Sequence, residues 1–135
     1  MRYVRSSYGG EANMPAQFIL ARRLPDVDEE DIYEAIKAGR KTSEFRDATP
    51  YWATRLLNDR GLRSYYRILK WNTEKHRPAC IIHMFSSSDL KHRTARFRVG
   101  HTKAPVLDAK IRSIYLHPVE SKFEIRVYDV HERVN

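Results

Sequence analysis

Ala38-Gly39-Arg40-Lys41-Thr42-Ser43-Glu44-Phe45-Arg46 is the stretch whose reading sets the fold. Gly39 stands where a left-handed helix C-cap is expected, because glycine enters positive φ without a Cβ penalty. Upstream, Asp28-Glu29-Glu30-Asp31-Ile32-Tyr33-Glu34-Ala35-Ile36-Lys37 reads as the helix that this cap closes, with acids in its first turn to complement the macrodipole. Downstream, Thr42-Ser43-Glu44-Phe45-Arg46 reads as a strand. Thr42, Glu44 and Arg46 share one of its faces, Ser43 and Phe45 the other. Gln17-Phe18-Ile19-Leu20-Ala21 is a strand too, ended by Arg22-Arg23-Leu24-Pro25, so the chain opens strand–helix–strand.

The rest follows outward from that opening. Asp47-Ala48-Thr49-Pro50 turns into a second helix, with Pro50 at a first helical position and Thr49 or Asp47 as its cap. Trp52 and Leu56 lie four apart on it, and Asn58-Asp59-Arg60-Gly61 reads as its end. Leu62 to Trp71 repeats Leu62, Tyr65, Tyr66 and Leu69 at spacings of three and four, which suggests a further helical turn. Beyond Pro78 the pattern changes to strands. Ala79 to Phe85 reads as a fully buried run, and Thr94 to Val99 alternates with Arg96 and Arg98 outward and Phe97 and Val99 inward. Ala109 to Leu116 and Lys122 to Val130 form a hairpin around His117–Ser121. In its second arm Phe123, Ile125 and Val127 face one way, and Glu124, Arg126 and Tyr128 the other. The sum is an α+β domain over residues 17–135, behind a loose arm at 1–16. Five or six strands with two or three packed helices suit a small, partly open β-barrel.

Composition bounds the chemistry. At 135 residues with 41% hydrophobic and 31% charged side chains, the chain can bury one core. Its single cysteine, Cys80, allows no internal disulfide, and its six histidines fall in no zinc-ligand spacing. No apolar run is long enough to span a bilayer, so an intracellular, cytoplasmic protein without a membrane partner is expected. The net charge of +8 is uneven: residues 26–34 carry six acids and no base, while from residue 35 onward 21 Lys/Arg stand against 10 Asp/Glu. Such a basic body favours a polyanionic partner, of which nucleic acid is the commonest.

Three constellations could carry chemistry. Glu44 could serve as a general base or metal ligand, with Lys41 and Arg46 holding phosphate or developing negative charge, or Glu44 and Arg46 form an ordinary surface ion pair and Lys41 is a solvated helix-end cation. The run from Tyr51 to Arg77 interleaves Arg55, Arg60, Arg63, Arg67, Lys70, Lys75 and Arg77 with Tyr65, Tyr66 and Trp71. Rings for bases beside cations for phosphates suit single-stranded nucleic acid; the same pattern also describes a helix with an aromatic core face and a wet basic face. Finally, residues 91–103 hold five Lys/Arg and no acid, so Arg96 and Arg98, followed by His101 and Lys103, form a stripe able to track a phosphate backbone.

Ile36-Lys37-Ala38-Gly39-Arg40-Lys41-Thr42-Ser43-Glu44-Phe45-Arg46 also resembles the opening motif of ASCH domains, in which a helix ends in Gly before Lys-Thr and then Glu-x-Arg on a strand. The Phe18-Ile19-Leu20 strand fits the first strand of that fold. Pro50-Tyr51-Trp52-Ala53-Thr54-Arg55-Leu56 is similar to a Tyr-Trp…Arg-Leu segment of ASCH-like proteins, including phage-encoded ones. Phe97-Arg98-Val99-Gly100-His101-Thr102-Lys103 resembles their Gly-aromatic turn, with His101 where Tyr is more usual. The resemblance covers residues 17–130, and its specific part is 36–56. It implies a PUA-like barrel with RNA or nucleotide bound in a cleft lined by Lys41, Thr42, Glu44 and Arg46. Tyr51 or Trp52 would stack on the ligand. The function implied is RNA binding, either as a ribonuclease acting through Glu44, with a divalent metal in that case, or as a non-catalytic reader of RNA or a modified base. Superfamily members that deacylate acetylated cytidine use a Lys with a Thr three residues later. Glu44 occupies that position here, which turns the expectation away from amidohydrolysis.

Overall fold

Two runs of alternating residues separated by a four-residue turn make a long hairpin, and the rest of the sheet is assembled on it. The structure, a computed structural model, describes residues 14–20, 32–74, 81–99 and 106–133. The arm up to residue 13, Ala21–Pro25, the acidic turn at 28–31, Lys75, Arg77, Ala79, Cys80, His101 and Lys103 lie outside the described residues.

The hairpin consists of β5 (Val106–His117) and β6 (Lys122–Arg133), paired antiparallel. The edge of β5 away from β6 takes two strands in tandem. β4 (Thr94–Val99) lies along its first half and β3 (His83–Phe85) along its second, both antiparallel. β2 (Ser43–Asp47) joins β6 antiparallel, and β1 (Ala16–Leu20) joins β4 in parallel. The strand order is β1-β4-β5-β6-β2, with β3 beside β5, and the sheet curls into a half-barrel. Its inner face carries Phe18, Phe97, Leu107, Ile114, Phe123 and Ile125, all at 2% exposure or less. Each such side chain contributes about 1.5–3 kcal/mol on burial.

Among the described residues, three helices pack on this sheet. α1 (Ile32–Lys37) buries Tyr33, Ala35 and Ile36 and is pinned to β6 by Glu132, which accepts from Tyr33 Oη at 2.8 Å and faces Lys37 Nζ at 3.3 Å. Gly39 caps α1 at φ 80°, as expected, and the Arg40 and Lys41 amides both return to the Ala35 carbonyl at 2.9 and 3.0 Å. α2 (Pro50–Leu56) begins at Thr49, whose hydroxyl accepts from the Trp52 amide at 3.4 Å.

Two readings need correction. Asn58-Asp59-Arg60-Gly61 does not only end a helix; it opens α3 (Asp59–Glu74), sixteen residues long. Asn58 is the reason: its Oδ1 accepts from the Gly61 amide at 3.0 Å, an N-cap bond in which Gly61 serves the first turn. A Cβ on Gly61 would lie 2.5 Å from the carbonyl oxygen of Asp89, in the 3₁₀ turn Ser87–Asp89, so glycine here allows close approach. The run before Phe85 is not a fully buried strand either. Only His83–Phe85 pairs, Ile81 is 81% exposed, and Ile82 and Met84 are exposed as well. Phe85 packs on the core while Met84, on the opposite face of β3, meets solvent, so the apolar run is covered on one face alone.

Candidate functional site

β2 divides the ionisable cluster between its two faces. Glu44 pairs in register with Ile125 and Arg46 with Phe123, so both side chains lie on the inner, apolar side. Glu44 is 8% exposed; its Oε1 faces Arg46 Nη1 at 3.3 Å and Lys41 Nζ at 3.6 Å, and accepts from the Phe45 amide at 3.0 Å. Lys41 also donates to the Ser43 carbonyl. The Arg46 guanidinium sits 5.3 Å from the ring centroids of both Phe18 and Trp52. Its Nη2 donates to the Ile19 carbonyl on β1 at 3.1 Å, and its Nη1 to the Phe45 carbonyl at 2.9 Å. β1 and β2 are the two ends of the sheet, so Arg46 bridges the open side of the half-barrel. The Glu44 carboxylate, flanked by two cations, does not suit a divalent metal ion.

The outer face holds a second carboxylate. Glu124 pairs with Phe45 on β2 and Tyr115 on β5 and points away from the core, yet it is buried. Ser43 Oγ donates to its Oε2 at 2.7 Å and Arg126 Nε at 2.9 Å, while His117 Nε2 lies 2.8 Å from Oε1. Burial opposes ionisation, but the hydrogen bonds from Ser43, Arg126 and His117 outweigh it and hold this carboxyl at a pKa of about 2. The Arg126 guanidinium lies 4.4 Å over the Tyr115 ring, and Phe45 is exposed with His117 at 6.0 Å.

Between the Gly39 turn and this face of β6 opens a cleft of about 650 Å³. Lys37, Lys41, Thr42, Arg112, Arg126 and Tyr128 are among the residues that line it. The Arg112 guanidinium is 4.4 Å from the Tyr128 centroid. Four cations thus surround one open concavity. Three of the four are ion-paired, Lys37 with Glu132 at 3.3 Å, Lys41 with Glu44 at 3.6 Å and Arg126 with Glu124 at 2.9 Å, and the cleft's other acid, Asp129, pairs with Lys110 Nζ at 3.2 Å.

Of the residues singled out from sequence, Lys41 and Thr42 line this cleft; Glu44 and Arg46 are not among its lining residues. Tyr51 is exposed on α2 with Arg55 3.5 Å over its ring, and Trp52 stacks on Phe18 at 5.6 Å and 8°. Arg63 is exposed on α3, and Arg67 donates to Ser64 Oγ at 3.1 Å. The acid-free stripe on β4 gains an acid from its neighbour: Arg96 pairs in register with Asp108, with Nε and Oδ1 at 2.9 Å, while Arg98 is exposed. Sequence reading missed Glu124, Arg126, Arg112 and Tyr128. The alternation over residues 122–130 already put three of them on one face; Arg112 owes its position to a β-bulge that no local pattern announces.

No family model, no curated protein and no solved structure matches this chain. Among the described residues, no group of three or more His, Cys, Asp and Glu could hold a metal ion, and no helix is long and apolar enough to cross a membrane.

Proposed function

We propose that this protein binds single-stranded nucleic acid, and RNA in particular, in the cleft beside the Gly39 turn, as a reader of the ASCH type on a PUA-like barrel. One observation carries the reading: Lys37, Lys41, Arg112 and Arg126 surround a single open cleft whose rim carries the Tyr128 ring. Cations neutralise phosphates, and exposed ring faces accept splayed bases. The curled six-stranded sheet and the Gly39 cap support the resemblance, as does the position of Lys41 and Thr42 in the cleft.

Cleavage through Glu44 is the second reading, favoured by the convergence of Lys41 and Arg46 on Oε1. It ranks below binding because Arg46 spends donors on two backbone carbonyls and Glu44 faces the core. Incubation of a twelve-nucleotide RNA with the protein and Mg²⁺ or Mn²⁺ separates the two: intact RNA leaves the reader, and cleavage lost in Glu44→Gln establishes the nuclease.

Binding itself is tested by fluorescence anisotropy of a labelled twelve-nucleotide oligouridylate across a salt series. Lys37→Ala with Lys41→Ala is expected to weaken binding roughly tenfold and to reduce the magnitude of the log K against log salt slope by about 1.4, at about 0.7 per phosphate contact. Unchanged affinity and slope would overturn the assignment.

A further inference from the structure

Two β-bulges interrupt the β5–β6 hairpin close together, one on each strand. Between the pairs Ile111–Val127 and Ser113–Arg126, β5 carries an unmatched residue, Arg112. Between Lys110–Tyr128 and Asp108–His131, the unmatched length is on β6, where Asp129 adopts φ 54° without being glycine. Bulges re-aim side chains and increase local twist. Here they set Arg112 across the face of Tyr128, which is 41% exposed.

This pair stands at a junction. A second cleft, of about 290 Å³, opens on the far side of Arg112 and Tyr128, lined also by Ser87, Arg93, Thr94 and Lys110. Both clefts share Arg112 and Tyr128 in their linings, so the two concavities adjoin at this pair. Cations recur along the whole path: Lys41, Arg126, Arg112, Lys110 and Arg93. The Lys110–Asp129 pair on this path is more than half exposed on both sides, and such a pair offers little resistance to a competing phosphate. From Tyr115 to Lys110 the strand covers about 17 Å at 3.4 Å per residue, longer than one nucleotide.

We infer that the ligand is a polynucleotide strand laid across both clefts, with Tyr128 and Arg112 contacting it at the junction, rather than a single nucleotide held in the first. This rests on the nucleic-acid reading above and extends it to a second cleft and to the length of strand bound. A mononucleotide pocket would need no second cationic cleft in line with the first.

The test compares labelled oligouridylates of three and twelve nucleotides by anisotropy, with oligothymidylates of the same lengths in parallel arms to separate RNA from DNA. Counting registers alone gives the longer oligomer about tenfold tighter binding; contacts in the second cleft raise the ratio to about a hundredfold, a further 1.4 kcal/mol. Arg93→Ala with Lys110→Ala, both exposed positions, should return the ratio to about ten, as should Arg112→Ala with Tyr128→Leu. Circular dichroism verifies that each variant is folded. A wild-type ratio near ten, or variants that keep the wild-type ratio, would overturn this inference while leaving the first cleft standing. Failure of both oligomers to bind would overturn the nucleic-acid reading itself.

Discussion

Glu124 and Arg46 mark opposite uses of charge on the two faces of one sheet. Glu124 is a buried carboxylate kept ionised by Ser43, Arg126 and His117. Its pKa lies at about 2 in the folded protein against an ordinary 4.5, so its contribution to stability is complete above about pH 5 and is lost as the pH falls toward 2. The shift corresponds to on the order of 3 kcal/mol. Urea denaturation at pH 5 and pH 2 should therefore show the stability gap between wild type and Glu124→Gln shrinking by about that amount; a gap independent of pH would contradict it. Arg46 works the other way, closing the half-barrel from between two rings. Arg46→Ala is expected to cost about 2–3 kcal/mol by denaturant titration, through the lost cation–π contacts, the lost bonds to Ile19 and Phe45 and a less compensated Glu44. Arg46→Lys should recover only part, because an ammonium lacks the fork that reaches both carbonyls. Strand alternation put Glu44 and Arg46 on one face from sequence. It could not give their partners, since Ile19 and Phe18 arrive from β1, at the other end of the sheet.

Elements set by local chemistry were legible, and those set by distant neighbours were not. The Gly39 cap and the Thr49–Pro50 start of α2 are decided by residues within four positions, and both stand as read. The β5–β6 hairpin is also explicit in alternation. Asn58–Gly61 was ambiguous because a stop and a start overlap there: glycine reads as a breaker until its packing against Asp89 is known. Gly61→Ala is expected to destabilise the protein by roughly 1–2 kcal/mol, since the 2.5 Å approach to the Asp89 carbonyl outweighs the helix-propensity gain of about 1 kcal/mol. A thermal melt in which Gly61→Ala matches or exceeds wild type would show that the 3₁₀ turn moves aside freely. β3 belongs with Asn58–Gly61: apolar content gives no sign of whether a strand is covered on both faces.

At the scale of the molecule, the basic balance was plain in the sequence but its location was not. Along the chain, Lys and Arg recur through α2 and α3 and again on β4. Folding pairs Arg96 with Asp108 and lays Arg55 on Tyr51, and it gathers Lys37 and Lys41 from the Gly39 turn, Arg112 from β5 and Arg126 from β6 around one cleft. Such convergence depends on sheet order and on two bulges, neither of which alternation encodes. On the proposed reading, nucleic acid binds on the outer face of β5 and β6 rather than on the α2–α3 helices. Cross-linking with a 4-thiouridine-substituted twelve-nucleotide RNA, followed by peptide mapping, measures that position directly. Adducts at Tyr128, Tyr115 or Phe45 are the predicted result, and adducts confined to Tyr51, Trp52 and Tyr66 would contradict it.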